Sequence, residues 1–76
     1  MIEFDIHGMT EQEAQREIER FIAKAPKDCK EIRIIHGFHS GNTLKELVRH
    51  PRKIRSKRIS RRRFTMNQGE TIYELY

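Results

Sequence analysis

Two histidines, each followed by a glycine, are the residues of this chain best suited to chemistry. They end the apolar segments "EFDIHG" and "RIIHG", in which His7 and His36 stand 29 positions apart. An imidazole can accept or donate a proton near neutral pH. Asp5 alternates onto the same face as His7, where its carboxylate can orient the ring or help to hold a divalent cation. We therefore take Asp5, His7 and His36 as candidate catalytic residues.

A plainer interpretation of these histidines also exists. A histidine beside a glycine at the end of a strand can simply bond a backbone carbonyl and cap the sheet, and Asp5 can form an ordinary ion pair. The occurrence of the same pair at two equivalent points favours a functional interpretation.

The elements that must position these residues follow the order βαβαββ. The patterns predict a strand at 2–6, a helix from Thr10 to Pro26, a strand at 30–37, a helix ended by His50-Pro51, a strand within 53–63, a turn at 67–69 and a strand at 70–76. Thr10 and Glu13 form a capping box at the start of the first helix. The start of the second helix is open between Ser40, Asn42 and Thr43, and Thr43-x-x-Glu46 is a second capping-box pattern.

Two of the predicted strands carry further expectations. The second strand is nearly continuous in apolar character, which is typical of a central strand buried on both faces. In the region 53–63, Ile54 and Ile59 are five positions apart, so on one regular strand their side chains would point to opposite faces of the sheet. A bulge or a late strand start is needed to place both on the same face.

Together these elements predict one α+β domain over residues 1–76, with two helices packed on a mixed four-stranded sheet. A strand–helix–strand unit favours a parallel pair with a right-handed crossover. The first two strands would then end at the same edge, where ligand sites of open α/β sheets form. The loop from Gly37 to Gly41 would lead into a helix start suited to phosphate.

Charge is distributed unevenly along the chain. Residues 1–48 carry a net charge of −2 and residues 49–76 a net charge of +7, and no acid interrupts the basic residues between Arg49 and Arg63. This asymmetry points to a polyanionic partner, nucleic acid first. Alternatively, the basic run is a solvated strand that protects a sheet edge from aggregation.

Composition narrows the class of protein. Cys29 is the only cysteine, so no disulfide framework is expected, and a lone thiol fits the cytoplasm. The sequence contains no signal-peptide pattern and no apolar run near the roughly 20 residues that cross a bilayer, so no membrane partner is expected.

With the elements in place, the chain resembles the Smr (small MutS-related) domain family over almost its whole length. "FDIHGMTEQEA" is similar to the family's opening LDLHG motif and capped helix, "IRIIHGFHSGNTLKELV" to its IIHGxGxG loop and helix, and "NQGETIYEL" to its closing turn and strand. His39 occupies the position where the family pattern has a second glycine.

This resemblance implies a βαβαββ fold similar to the C-terminal domain of bacterial translation initiation factor three. It also implies nucleic-acid binding, with DNA nicking or RNA cleavage in several members and a link to stalled ribosomes in some. Asp5 and His7 match the first motif; His36, Gly37 and Gly41 match the second.

The sequence thus predicts a nucleic-acid-binding domain, of DNA or RNA, with endonuclease activity. Its expected binding residues are Gly37, His39, Gly41, Arg49, Arg52, Lys53, Arg55, Lys57, Arg58, Arg61, Arg62 and Arg63. A mechanism with two histidines needs no metal, whereas Asp5 and His7 leave a Mg²⁺ or Mn²⁺ route open. Two alternatives stay open: a binding module for nucleic acid or the ribosome without catalysis, and a protein-interaction domain.

Overall fold

The computed structural model describes residues 2–37 and 41–76 as a two-layer α+β domain. Its elements in chain order are β1 (Ile2–Asp5), α1 (Glu11–Lys24), β2 (Glu31–Ile35), α2 (Thr43–Arg49), β3 (Ile59–Phe64) and β4 (Glu70–Leu75). The strands form one sheet in the order β1-β2-β4-β3. β1 and β2 are parallel, and β4 pairs antiparallel with both β2 and β3. The predicted βαβαββ order and mixed four-stranded sheet are confirmed.

Helix α1 begins at a capping box and ends just before a proline. The Thr10 side chain accepts from the Glu13 N–H at 3.1 Å, and Glu13 Oε1 accepts from the Thr10 N–H at 3.0 Å, so the predicted capping box is present. Pro26 lies one residue beyond Ala25, the residue that caps the helix. The buried stripe consists of Ala14, Ile18 and Ile22.

Helix α2 begins differently from the second capping-box pattern. Asn42 is the N-cap and makes no side-chain capping bond, and Thr43 is already helical. The Thr43–Glu46 capping box is therefore wrong, because its threonine lies one position inside the helix. Ser40, the third candidate cap, lies outside the described residues.

Both helices cover the same face of the sheet, and a single core lies between the two layers. The fully buried members from the sheet are Ile32, Ile34 and Tyr73, which pack with the buried stripe of α1 and with Leu47 and Val48 of α2. The expectation that β2 is buried on both faces is wrong. Ile35 points away from the helices and is only half-buried, because nothing but charged side chains covers the outer face.

The outer face of the sheet, which points away from the helices, carries a network of ion pairs. Arg33 binds Glu3 at 2.9 Å on one side and approaches Glu70 at 3.2 Å on the other. Arg63 joins Glu31 to Glu74, and Arg61 also binds Glu74. Ile72, only 2% exposed, lies opposite Arg33 and Arg63 in the strand register. The stems of these arginines are long enough to cover an isoleucine while their guanidinium groups stay at the surface.

The region 53–63 resolves the conflict between Ile54 and Ile59 in two ways at once. Strand β3 starts late, at Ile59, and its register with β4 is irregular between Ile59 and Arg61. Ile54 belongs to the preceding loop and is anchored in the core at 2% exposure. We call residues 50–58 the basic loop.

Arg58 fastens the end of the basic loop to α1. Its guanidinium donates to the carbonyl oxygens of Ile22, Ala25 and Pro26 at 2.7–2.9 Å. The Ile22 and Pro26 carbonyls also accept from the backbone N–H groups of Ala25 and Cys29, whereas Ala25, the C-cap, lies where a helix leaves backbone acceptors without intrahelical partners.

We expect Arg58→Ala to lower the free energy of unfolding by about 2 kcal/mol, because three charged hydrogen bonds to backbone carbonyls at the end of α1 are lost. Urea unfolding followed by circular dichroism measures the change. Arg55→Ala, an exposed cation three residues earlier, is the matched control and should change stability by less than about 0.5 kcal/mol. Equal effects of the two substitutions would contradict a stabilising role for the hydrogen bonds between Arg58 and the end of α1.

Candidate functional site

The parallel pairing of β1 and β2 brings the two His-Gly ends to one edge of the sheet. The Ile6 N–H donates to the Ile35 carbonyl at 2.8 Å, which continues the pairing to the last residue before His7. Gly37 has a φ of 71°, and a Cβ there would lie 3.8 Å from the Cβ of His7. The chain therefore passes close to His7 at a point where its conformation favours glycine.

Asp5 holds His7 in a defined orientation. Its Oδ1 atom accepts from the backbone N–H of His7 at 3.0 Å and lies 2.7 Å from Nδ1 of the ring. A carboxylate can only accept, so Nδ1 carries the proton and Nε2 presents its lone pair outward. The side chain of His7 is 74% exposed. The pair is thus a solvent-facing base whose tautomer is fixed by a carboxylate.

The same bonds keep Asp5 ionised. The pKa of Asp5 is lowered, first by the hydrogen bond from the backbone N–H of His7 and then by the bond from its ring. Bonds to the charged form stabilise that form. At neutral pH the carboxylate is therefore available to support a positive charge on His7.

His36 has a different environment from His7. It is 3% exposed, and both ring nitrogens contact protein atoms: Nδ1 lies 2.9 Å from the Gly37 carbonyl and Nε2 lies 3.0 Å from Thr71 Oγ1. Because a carbonyl can only accept, Nδ1 is the protonated nitrogen of the neutral ring. Thr71 then donates to Nε2 while accepting from Arg49 Nε at 2.8 Å.

This network places His36 as a support for the loop rather than as an exposed acid. Its ring fixes the carbonyl of Gly37, and that glycine borders His7. A general acid must reach the leaving oxygen with an N–H, whereas the only N–H of neutral His36 is donated to the chain. His36, which the sequence predicted as a second catalytic imidazole, is therefore buried and hydrogen-bonded at both ring nitrogens, and its catalytic role stays a prediction.

A crevice of about 390 Å³ lies beside these groups. It separates the segment after β1 from the start of α2, and its lining includes His36, Gly8, Glu11, Gly41 and Thr43. Asp5 and His7 are not part of the lining. His39 and the rest of residues 38–40 lie outside the described residues, so the predicted role of this loop in binding stays a prediction.

The nine basic residues from Arg49 to Arg63 fall into two groups. Arg58, Arg61 and Arg63 are engaged by carbonyls or carboxylates as described above. Arg62 lies over the Tyr73 ring at 5.3 Å and donates to the Ile54 carbonyl at 3.3 Å, and Arg49 is held by Thr71 and by the Glu70 carbonyl.

The remaining cations belong to the basic loop and are exposed. Among the described residues, no carboxylate pairs with the side chains of Arg52, Arg55 or Lys57, and Lys53 reaches only Glu11, at 3.5 Å. Since Glu11 also lines the crevice, the basic loop begins near the crevice rim.

Thr71 and Phe64 are functional candidates that the sequence did not reveal. Thr71 contacts a histidine 35 positions away only because the antiparallel register places it opposite Ile34. The same register places Phe64 opposite Thr71. No local spacing signals these contacts.

Over residues 2–37 and 41–76, no three His, Cys, Asp or Glu side chains converge in a way that could hold a metal ion. Asp5 and His7 offer one carboxylate oxygen and one imidazole nitrogen that do not contact each other. Neither helix of this part of the chain is long and apolar enough to cross a membrane.

The fold and the site define a class: a small α+β domain that places a histidine–carboxylate pair at the carboxyl edge of a parallel strand pair and carries exposed cations on a basic loop that runs along α1 to the opposite edge. The family model of the Smr domain matches residues 4–71, and the chain belongs to this family. Membership makes it a nucleic-acid-binding or nuclease-like module. No curated protein matches the chain.

Burial of His36 makes stability depend on pH. The pKa of His36 is lowered from its ordinary value of 6.5, chiefly by desolvation and further by Arg49 and Lys45. Below pH 6.5, His36 is therefore protonated in the unfolded chain while it stays neutral in the folded chain. The contribution of neutral His36 is fully present above pH 6.5 and declines as the pH falls towards the folded pKa.

We expect the free energy of unfolding to fall between about pH 8 and about pH 5.5, a range in which most carboxyl groups stay ionised. Urea titrations measure this fall, which should be smaller in His36→Gln. As a second readout, the ring C–H resonance of His36 should titrate below pH 6.5. A midpoint at or above that value would contradict the buried, neutral state.

Proposed function

We propose that this Smr domain binds nucleic acid along the basic loop and cleaves a phosphodiester with the Asp5–His7 pair. The observation that carries the proposal is the 2.7 Å contact between Asp5 Oδ1 and His7 Nδ1, which leaves Nε2 of an exposed ring as a base. A base oriented by a carboxylate is the arrangement that proton abstraction requires.

The proposed step transfers one proton and exchanges one bond at phosphorus. Nε2 of His7 takes the proton from an attacking water, or from a ribose 2′-hydroxyl, as its oxygen bonds to phosphorus. The bond from phosphorus to the leaving oxygen breaks, and that oxygen receives a proton from the His7 imidazolium or from solvent. Asp5 stabilises the imidazolium between these events.

A divalent cation would fit this site only in part. Asp5 and His7 would supply two ligands, and water or the substrate would supply the rest, as Mg²⁺ tolerates. The cation would neutralise charge on the phosphate. Because Nε2 of His7 cannot bind a cation and accept a proton at once, only the metal-independent reaction uses His7 as the base, and assays with chelator and with Mg²⁺ or Mn²⁺ distinguish the two routes.

We expect His7→Ala to reduce cleavage at least about 100-fold while leaving affinity within about twofold, since a general base contributes that much. Asp5→Asn should reduce cleavage less. Supercoiled plasmid and single-stranded RNA are the substrates, and gel assays of nicking and cleavage are the measurement.

A matched control isolates the effect of the pair. Glu3→Gln neutralises a carboxylate on the same strand and the same face as Asp5. This variant should cleave like the parent domain. Undiminished cleavage by His7→Ala would refute the assignment.

The alternative is a binding module without catalysis, and the engagement of both His36 nitrogens favours it. In that case no substrate is cut under any metal condition, while nucleic acid still binds. The cleavage assay with the parent domain separates the two proposals.

Binding itself should depend on the basic loop. We expect the triple change Arg52→Ala, Arg55→Ala and Lys57→Ala to weaken binding and to lower the slope of log affinity against log salt by roughly two, because each phosphate contact contributes about 0.7–0.9. Fluorescence anisotropy over a salt series measures both quantities.

The control for net charge is the triple change Arg16→Ala, Lys24→Ala and Lys27→Ala. These exposed cations lie on α1 and just after it, and the charge lost is the same. Equal effects of the two triple variants would mean that general attraction, and not a binding surface, explains the affinity.

A further inference from the structure

The end of β3 lies at the same edge of the sheet as the Asp5–His7 pair. β4 runs antiparallel to both β2 and β3, so the last residue of β3, Phe64, comes to the edge where β1 and β2 end. The turn from β3 to β4 is fixed there, because the Gly69 carbonyl accepts from the N–H groups of His36 and Gly37, both at 2.9 Å. With β1 and β3 as the outer strands, the two sites are separated by three strand spacings, or roughly 14 Å.

Phe64 presents an aromatic face to solvent at this edge. The side chain is 56% exposed and does not belong to the core. The guanidinium of Arg49 lies over the ring, with its Cζ 4.3 Å from the ring centroid. Arg49 is itself held by Thr71 Oγ1 at 2.8 Å and by the Glu70 carbonyl at 2.9 Å. The ring is therefore backed on one face by a fixed cation, and more than half of the side chain is exposed to solvent.

This arrangement has the chemistry of a stacking site for a base. A planar base gains from contact with an aromatic face whatever its sequence identity. The positive charge behind the ring favours a polyanionic chain over an apolar partner. Lys45 adds a second cation at this edge, where its Nζ atom donates to Gln68 in the turn at 2.9 Å.

We propose that Phe64, backed by Arg49, stacks one unpaired base of a single-stranded nucleic acid whose backbone continues past the Asp5–His7 pair. This inference rests on the proposed nucleic-acid binding and specifies its substrate as single-stranded, since the bases of a duplex are already stacked and paired. It adds one specificity-determining residue from a strand that carries no catalytic group.

Tryptophan fluorescence tests the inference directly, because the chain contains no tryptophan. Phe64→Trp places a single indole at the proposed platform. We expect its emission to be quenched by a single-stranded oligonucleotide and to be unchanged by an abasic oligonucleotide of equal length, although both bind through their phosphates. Tyr76→Trp, an exposed aromatic position at the opposite edge of the sheet, should report neither ligand.

Affinity provides the second readout. Phe64→Ala should weaken binding to the single strand roughly tenfold, the order expected for one lost stacking contact, while Phe64→Tyr stays near the parent value. Duplex affinity should change less than about twofold in either variant. Because Phe64 lies outside the core, the alanine variant should keep the circular dichroism spectrum of the parent.

The outcomes separate failure of this inference from failure of the proposed function. If the parent domain binds no oligonucleotide at low salt, both are overturned. If it binds but the indole is not quenched and Phe64→Ala binds normally, only the stacking inference is overturned. Emission that changes with protein concentration and not with oligonucleotide would assign the exposed ring to contacts between copies of this chain, and would likewise overturn it.

Discussion

The parallel pairing of β1 with β2 is the constraint on which the rest of the site depends. It sets Asp5 opposite Ile35 and therefore brings the segments after both strands to a common edge. A parallel pair needs a crossover, and α1 supplies it while also contributing Ala14, Ile18 and Ile22 to the core. An antiparallel arrangement of the same two strands would place His7 and Gly37 at opposite ends of the sheet. The chemistry of the site thus follows from topology before any side chain is considered.

The two histidines show how one local pattern acquires two roles. His7 follows an edge strand, so its ring faces water and is oriented by a carboxylate two residues earlier. His36 follows a central strand, so β4 approaches it and supplies Thr71 as a partner. Burial then disfavours its charged form, whereas the ring of His7 is exposed to solvent. The difference arises from strand position and not from the residues adjacent in sequence.

Much of the fold followed from the sequence because it depends on short-range patterns. The Thr10–Glu13 capping box and the break at Pro26 are local, and each was predicted correctly. The errors came from tertiary context: the outer face of β2 is covered by charged side chains, and Thr43 was shifted into the helix. The sequence could not show which cations are paired within the fold and which are exposed. Arg58 and Arg63 are paired, but their partners lie more than ten residues away in the sequence. The assignment of Asp5 and His7 to catalysis stays a prediction.

The basic loop is fastened at several points, and this determines how its charge can act. Ile54 anchors its centre in the core, Glu19 accepts from the Arg55 N–H at 2.8 Å, and Arg58 grips the end of α1. The backbone under the exposed cations is consequently ordered by folding itself. Under the proposed binding of a polyanion, only side-chain rotations would remain to be restricted, which is a far smaller entropic loss than the ordering of a flexible tail. A stretch that resembles a disordered basic arm in composition is therefore held in place by the fold before any partner binds.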